Sequence, residues 1–144
     1  MKPVHLVSAL VLGLATASAA AAADPVMGEW TTQSGTAKVR IAPCSGNKAL
    51  MCGNIFWMKM PNDKAGSPQK DTNNPDTALQ GRPILGLQIL QNFKSAGPAK
   101  WAGGKIYDPE SGKLYASKVG LNTNGTLKVE GCVSVICQAQ TWRK

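Results

Sequence analysis

Past residue 5 the sequence contains no histidine, because its single one is His5. A Ser-His-Asp arrangement therefore has no base, and a zinc site has no imidazole. Acidic residues are also scarce, eight against sixteen basic ones. The nearby carboxylate pairs are Asp71 with Asp76 and Asp108 with Glu110, both in segments where turn and cap duty accounts for them. The four cysteines form no CxxC, which removes the usual thiolate metal spacing. There is no dense run of lysine and arginine with interleaved aromatics, so the footprint of a nucleic-acid binder is missing. The apolar run from Val4 to Ala15 is about a dozen residues, whereas a bilayer needs roughly 20. These absences exclude most enzymes, cofactor sites, metal sites and membrane-spanning helices, leaving an expectation of a non-catalytic protein.

The first residues read as a secretory signal peptide. Lys2 is the positive start, Val4 to Ala15 the apolar segment, and Ala17-Ser18-Ala19 through Ala23 supply small residues for cleavage near Ala23. No cysteine stands there to accept a lipid. The expected organisation is a signal segment at 1–23 and one domain at 24–144, in a periplasmic or secreted protein. Of the sixteen basic residues only Lys2 precedes residue 24, so fifteen remain against eight acids, a net charge of +7. Such a charge biases the protein toward anionic partners. Cys44, Cys52, Cys132 and Cys137 are an even set, which in an exported small domain reads as two disulfides. Three pairings are conceivable. Cys44–Cys52 and Cys132–Cys137 are favoured, because Ser45-Gly46-Asn47 can reverse the chain in the first and four residues suffice for a hairpin in the second. Short loops of this kind are worth roughly 2–3 kcal/mol each.

Period-two patterning dominates the rest of the chain. Thr36 to Ile41 alternates, with Ala37, Val39 and Ile41 on one face. Leu50 to Met58 is apolar on both faces. Ile84 to Phe93 reads as another buried strand, Trp101 to Tyr107 as one bent at Gly103-Gly104, and Lys113 to Leu121 as one with Tyr115, Ser117, Val119 and Leu121 on a single face. Thr126 to Val133, with Leu127, Val129, Gly131 and Val133 on one side, and Gln138 to Arg143 complete the set. Tight turns separate them, at Asp108-Pro109-Glu110-Ser111-Gly112 and Asn124-Gly125. No convincing helix comes after the signal. The expected fold is all-β, a small antiparallel up-and-down barrel of about eight strands with one long loop, since closure removes exposed edges. That loop, 60–82, is polar and holds Pro61, Pro68 and Pro75, with a short helical turn expected after Asp76 near Ala78 and Leu79.

Gly28-x-Trp30 on the first strand and Trp142-Arg143 on the last resemble the lipocalin pattern, in which a basic residue near the end packs on the tryptophan face. The chain as a whole is similar to the domain of unknown function 2147 family of exported bacterial lipocalin-like proteins. The matching pieces are Gly28-Glu29-Trp30, Leu50 to Ile55, Asp71 with Asn74-Pro75-Asp76, Arg82-Pro83-Ile84-Leu85-Gly86-Leu87, Gly104 to Pro109, Ser111-Gly112-Lys113-x-Tyr115 and Gln140 to Arg143. The resemblance implies fold and compartment, with Gly28, Trp30, Trp142 and Arg143 closing the barrel, and it implies no activity.

The candidate ligand site gathers Arg82, Asp71, Asn74 and Asp76 from the loop with Leu85, Leu87, Ile89 and Tyr115 from the strands. Arg82 at the lip of an apolar strand can clamp a carboxylate or phosphate, or instead bridge internally to Asp71 or Asp76. Asp71-x-Asn73-x-x-Asp76 has some oxygen ligands of a calcium loop but not its spacing or closing glutamate. Tyr107 and Tyr115 sit on neighbouring strands where they can meet across the hairpin, with core packing the favoured use of both. Two readings remain: a binder of a small amphipathic ligand in the cell envelope, or an envelope interaction module whose basic surface meets an anionic polymer, lipid or protein partner.

Overall fold

The computed structural model describes residues 23–144, together with Gly13 and Ala15; the expected signal peptide thus falls almost wholly outside the described residues. Eight strands pair in chain order, each antiparallel to the next: β1 (Gly28–Thr31), β2 (Ala37–Pro43), β3 (Met51–Met58), β4 (Gln88–Ser95), β5 (Lys100–Asp108), β6 (Lys113–Leu121), β7 (Leu127–Val133) and β8 (Ile136–Trp142). The sheet curls into a half-barrel whose edges touch at one bridge. There the Thr31 N–H donates to the Arg143 carbonyl at 2.6 Å, and the Arg143 N–H returns the bond at 3.0 Å. This is the all-β up-and-down architecture that the alternating sequence predicts, with a seam that stays open over much of β8. Among the described residues no helix is long and apolar enough to cross a membrane. The one helical element among the described residues is a 3-10 turn at Thr77–Leu79, capped by Asp76, whose Oδ1 accepts from the Ala78 N–H at 3.0 Å.

The inward faces fill the lower half. Trp30, Val39, Ile41, Met51, Phe93, Leu127, Val129 and Trp142 are all but inaccessible to solvent. Val119 on β6 stands opposite Trp101 and Val129, continuing the row. Segment 24–27 plugs this end. The Trp30 indole donates to the Val26 carbonyl at 2.8 Å, and the Trp101 indole donates to Asp24 Oδ2 at 3.1 Å. The cation over Trp30 is Lys144, its Nζ 4.7 Å from the ring centre, and not Arg143 as the lipocalin pattern implied. Arg143 is bridged to Thr31, the residue after Trp30, so its side chain takes the opposite face from the indole, and Lys144, one residue later, reaches the ring. A cation so placed on an indole contributes about 0.5–1 kcal/mol. Gly28 serves the same arrangement: its φ is +122°, and a Cβ there would lie 3.4 Å from Lys144 Nζ.

One strand differs from expectation. Ile84 to Leu87 is not part of β4, which begins at Gln88. Gly86, at φ +92°, turns the chain there. The segment is held to β3 instead, with Gly86 N–H donating to the Ile55 carbonyl at 2.7 Å and Ile55 N–H to the Leu87 carbonyl at 2.9 Å. The predicted bend at Gly103-Gly104 is present as a register shift between Trp101 and Gly104. Both favoured disulfides form, Cys44–Cys52 and Cys132–Cys137.

Phe93 lies flat on Gly104, so that a Cβ at Gly104 would run into the ring. Gly104→Ala is expected to destabilise the fold by about 1–3 kcal/mol through overpacking, whereas Gly81→Ala, which meets nothing, should leave stability within about 0.5 kcal/mol. Urea titrations of both variants, read against the parent, check this.

Candidate functional site

The long loop is ordered by one buried carboxylate. Asp71 has no exposed surface. Its Oδ1 accepts from the Tyr107 hydroxyl at 2.6 Å, and its Oδ2 accepts from Arg82 Nε and Asn74 Nδ2, each at 2.9 Å. The backbone reinforces the grip: the Asp71 N–H donates to the Arg82 carbonyl at 2.9 Å and the Asn74 N–H to the Asp71 carbonyl at 3.1 Å. Asn74 then passes the order on, its Oδ1 taking the Asp76 N–H at 2.8 Å and its carbonyl taking Gln80 Nε2 at 2.9 Å. Burial pushes the Asp71 carboxyl up, but the bonds from Tyr107, Asn74 and Arg82 and the arginine's charge outweigh it and leave Asp71 below its ordinary value. Burial first, and then the bond to the Asp71 carboxylate and its charge, push the Tyr107 phenol up. A carboxylate gripped by three donors and a phenol held protonated form a clamp rather than an acid–base pair. Of the two roles open to Arg82, the geometry has the internal bridge, to Asp71 and not to Asp76.

This clamp sits on the outside of the sheet. Tyr107 stands opposite Leu114 on β6, while Ile106 stands opposite Tyr115. Tyr115 shares its face with Ser117 and Val119, which are buried inside, so Tyr107 and Leu114 point outward. Leu114 is exposed, and Tyr107 is buried because the loop covers it. Tyr107 and Tyr115 therefore do not meet across the hairpin, since neighbouring residues of a strand point to opposite faces and it is Ile106 that stands opposite Tyr115. The loop tip is docked on the β5–β6 hairpin as well. Asn73 Nδ2 donates to the Glu110 carbonyl at 2.8 Å, and the Asn73 carbonyl packs on Gly112 where no side chain could fit.

The residues expected to form one ligand site are thus divided by the sheet. Asp71, Asn74, Asp76 and Arg82 are outside and bonded within the loop. Leu85 was expected on a strand lining a cavity; it lies in the 84–87 turn and is 47% exposed. Leu87 and Ile89 are buried in the core cluster, with Ile89 on the Tyr107 side, since Leu90 is opposite Ile106. Tyr115 alone faces inward at the open end. Two surface depressions, one beside Cys44–Cys52 lined by Pro43, Asn54 and Gln88, the other within the loop at Asp63, Ser67 and Lys70, include none of these residues.

Around Tyr115 the inward face runs out of cover. Gly131 packs against Ile106 and Tyr115, and both side chains are half-buried. Continuing the same face, Val133 stands opposite Ile136, and the two are 65% and 73% exposed. Gln138, opposite Gly131, is exposed too. Sequence reasoning put Val133 on the same face as Leu127 and Val129 but missed that, among the described residues, none covers it. It also missed Tyr107 as a clamp member, although a large aromatic out of phase with its strand's inner face and one residue before a turn needs a cover.

On the outer face, Glu130 receives Lys128 at 2.7 Å and Lys118 at 3.4 Å, and the bond from Lys128, ahead of burial's opposing effect, holds its carboxyl below the ordinary value. Cys132 and Cys137 lie beside it, but with both sulfurs in a disulfide there is no thiolate for a metal.

A family model described as DUF2147, an uncharacterized protein conserved in bacteria, matches residues 28–144. No curated protein matches. A solved structure of HP1028 from Helicobacter pylori, described as belonging to the lipocalin family, superposes with a TM-score of 0.68 at 24% identity, covering 83% of this chain and 82% of that one. The likeness is one of fold.

Because the folded Asp71 carboxyl lies below its ordinary value of 3.8, its contribution is fully present above that pH and is lost as pH falls through the lower, folded value. Asp71→Asn should cost about 2–4 kcal/mol near neutrality and flatten the fall in stability below the ordinary value. Thermal unfolding from neutral to strongly acidic pH, parent against variant, measures both effects.

Proposed function

We propose that this chain, which belongs to the DUF2147 family, is a non-enzymatic binding module that seats the apolar part of a small amphipathic molecule on the uncovered inner face at the open end of its half-barrel. The observation that carries this reading is the exposure of Val133 and Ile136 on the face that is elsewhere the core. Ile106 and Tyr115 extend that apolar floor, and Gln138 supplies a neutral amide for a polar head. Sites for small ligands commonly combine an apolar lining with few polar groups. The same surface offers no base, nucleophile or free carboxylate, which supports binding without turnover. The ligand lies at the mouth, because Trp30, Phe93 and Trp142 already fill the lower half. Two disulfides fit an oxidising compartment, in keeping with export to the cell envelope. The filled lower half also favours the second reading, a module that meets its partner by surface alone.

Native mass spectrometry of the protein isolated from a bacterial host under mild, non-reducing conditions separates the two. The binder reading expects a stoichiometric extra mass lost on denaturation, and Ile136→Asp, at an exposed position, should reduce its retention at least about tenfold. A bare chain carrying two disulfides, together with no enhancement of an anilinonaphthalene sulfonate probe, would overturn it in favour of the surface module.

A further inference from the structure

β8 ends the sheet with one side unpaired. The N–H and C=O of Arg143 both face Thr31, and the Thr141 N–H is taken by Gln33 Oε1 at 2.8 Å. Backbone groups change sides at each residue along an antiparallel strand, so Ala139 and Cys137 turn theirs the same way as residues 141 and 143. Beyond the Thr31 bridge no strand of the described residues lies on that side of β8. Ile136 to Gln140 are exposed in succession, on both faces. Proteins protect such edges with lysine, proline, a bulge or a covering element. This edge has none of them: Gly131 to Trp142 contains no charged residue and no proline, and the β7–β8 register runs without a shift.

We propose that the β8 edge is a self-association surface, on which β8 of a second copy pairs antiparallel about a two-fold axis and continues the sheet across the two molecules. Self-complementarity selects this occupant, because an antiparallel copy sets the outward groups of Cys137 against those of Ala139 with no charged side chain to meet its like. The chain carries a net +8, and like charges placed directly opposite each other destabilise a strand pair. The other terminal strand, β1, is only four residues long and includes Glu29, so β8 is the uncharged edge over which two cationic copies can approach. An axis at Gln138 sets its amide against the same amide of the second copy, where the two can bond to each other. It also brings the outward groups of Cys137 and Ala139 into hydrogen-bonded register with those of the copy. The Cys132–Cys137 disulfide spans the hairpin directly beside the edge, so little ordering entropy is spent on pairing. Edge pairing uses the rim of β8 and leaves the apolar floor at Ile106 and Tyr115 open, and Gln138 is the residue it shares with the proposed ligand surface.

Sedimentation velocity over a concentration series, on protein isolated from its bacterial host, tests the proposal with two variants. Wild type is expected to move from monomer to dimer as concentration rises. Gln138→Lys, which sets two ammonium groups face to face at the axis, should weaken association at least about tenfold. Ala139→Pro removes an N–H that points away from β7 and should abolish the dimer. Circular dichroism confirms that each variant is folded, and the exposed Gln138 site keeps the test valid should the proline variant unfold. In the dimer, hydrogen exchange should slow at the amides of Cys137 and Ala139. A monomer at every concentration, a dimer indifferent to Gln138→Lys, or protection that falls elsewhere would each overturn the assignment.

Discussion

The carboxylate of Asp71 is the constraint on which the long loop depends. A buried carboxylate must have its oxygens satisfied or it costs several kcal/mol. Here the donors come from three places in the chain: Asn74 three residues on, Arg82 eleven residues on and Tyr107 on a distant strand. Meeting all three at once closes the 71–82 segment on itself and fastens it to the outer face of β5. The same closure buries Tyr107, protects an aromatic ring on what would otherwise be a wet face, and leaves the loop tip resting on the β5–β6 hairpin at Gly112. A polar stretch with several prolines becomes ordered through electrostatics rather than through an apolar core of its own.

The two ends of the half-barrel have opposite characters. At the lower end tryptophans from β1, β5 and β8 converge, their indole N–H groups are satisfied, and Lys144 covers Trp30. At the upper end β7 and β8 extend beyond the strands that could face them, and a disulfide holds their tip. Branched side chains that alternation sends inward thus meet solvent. In a chain this short the apolar material suffices to fill one layer, and it has been concentrated where the edges meet. The open end and the free rim of β8 are what this packing leaves uncovered.

Alternation made most of this architecture legible beforehand. Val39 and Ile41, the Tyr115-to-Leu121 face, and Leu127 with Val129 occupy the sides that a period of two assigns, because a pleated strand leaves no other choice. The bulge at Gly103-Gly104, the turn capped by Asp76, and both disulfides came from local chemistry of the same kind. The start of β4 was less legible. Ile84 to Leu87 is apolar enough for a strand, but Gly86 adopts a left-handed φ and turns the chain, a choice that apolar content does not report. The cation over Trp30 was assigned one residue too early, since which of two consecutive basic residues meets an indole depends on how the seam closes.

The candidate site was legible as a list of residues and not as an arrangement. Composition and spacing by themselves determined an all-β chain with two short-loop disulfides, no histidine-based chemistry and a polar loop rich in bonding groups, because each of these depends on residues near one another in sequence. Only the tertiary structure decided that Asp71 and Arg82 lie outside the sheet while Tyr115 lies inside, that Leu85 is at the surface, and that Val133 and Ile136 are left uncovered. The face that a loop packs upon and the element that covers a strand are set by contacts between residues tens of positions apart, and a period of two carries no information about those distances.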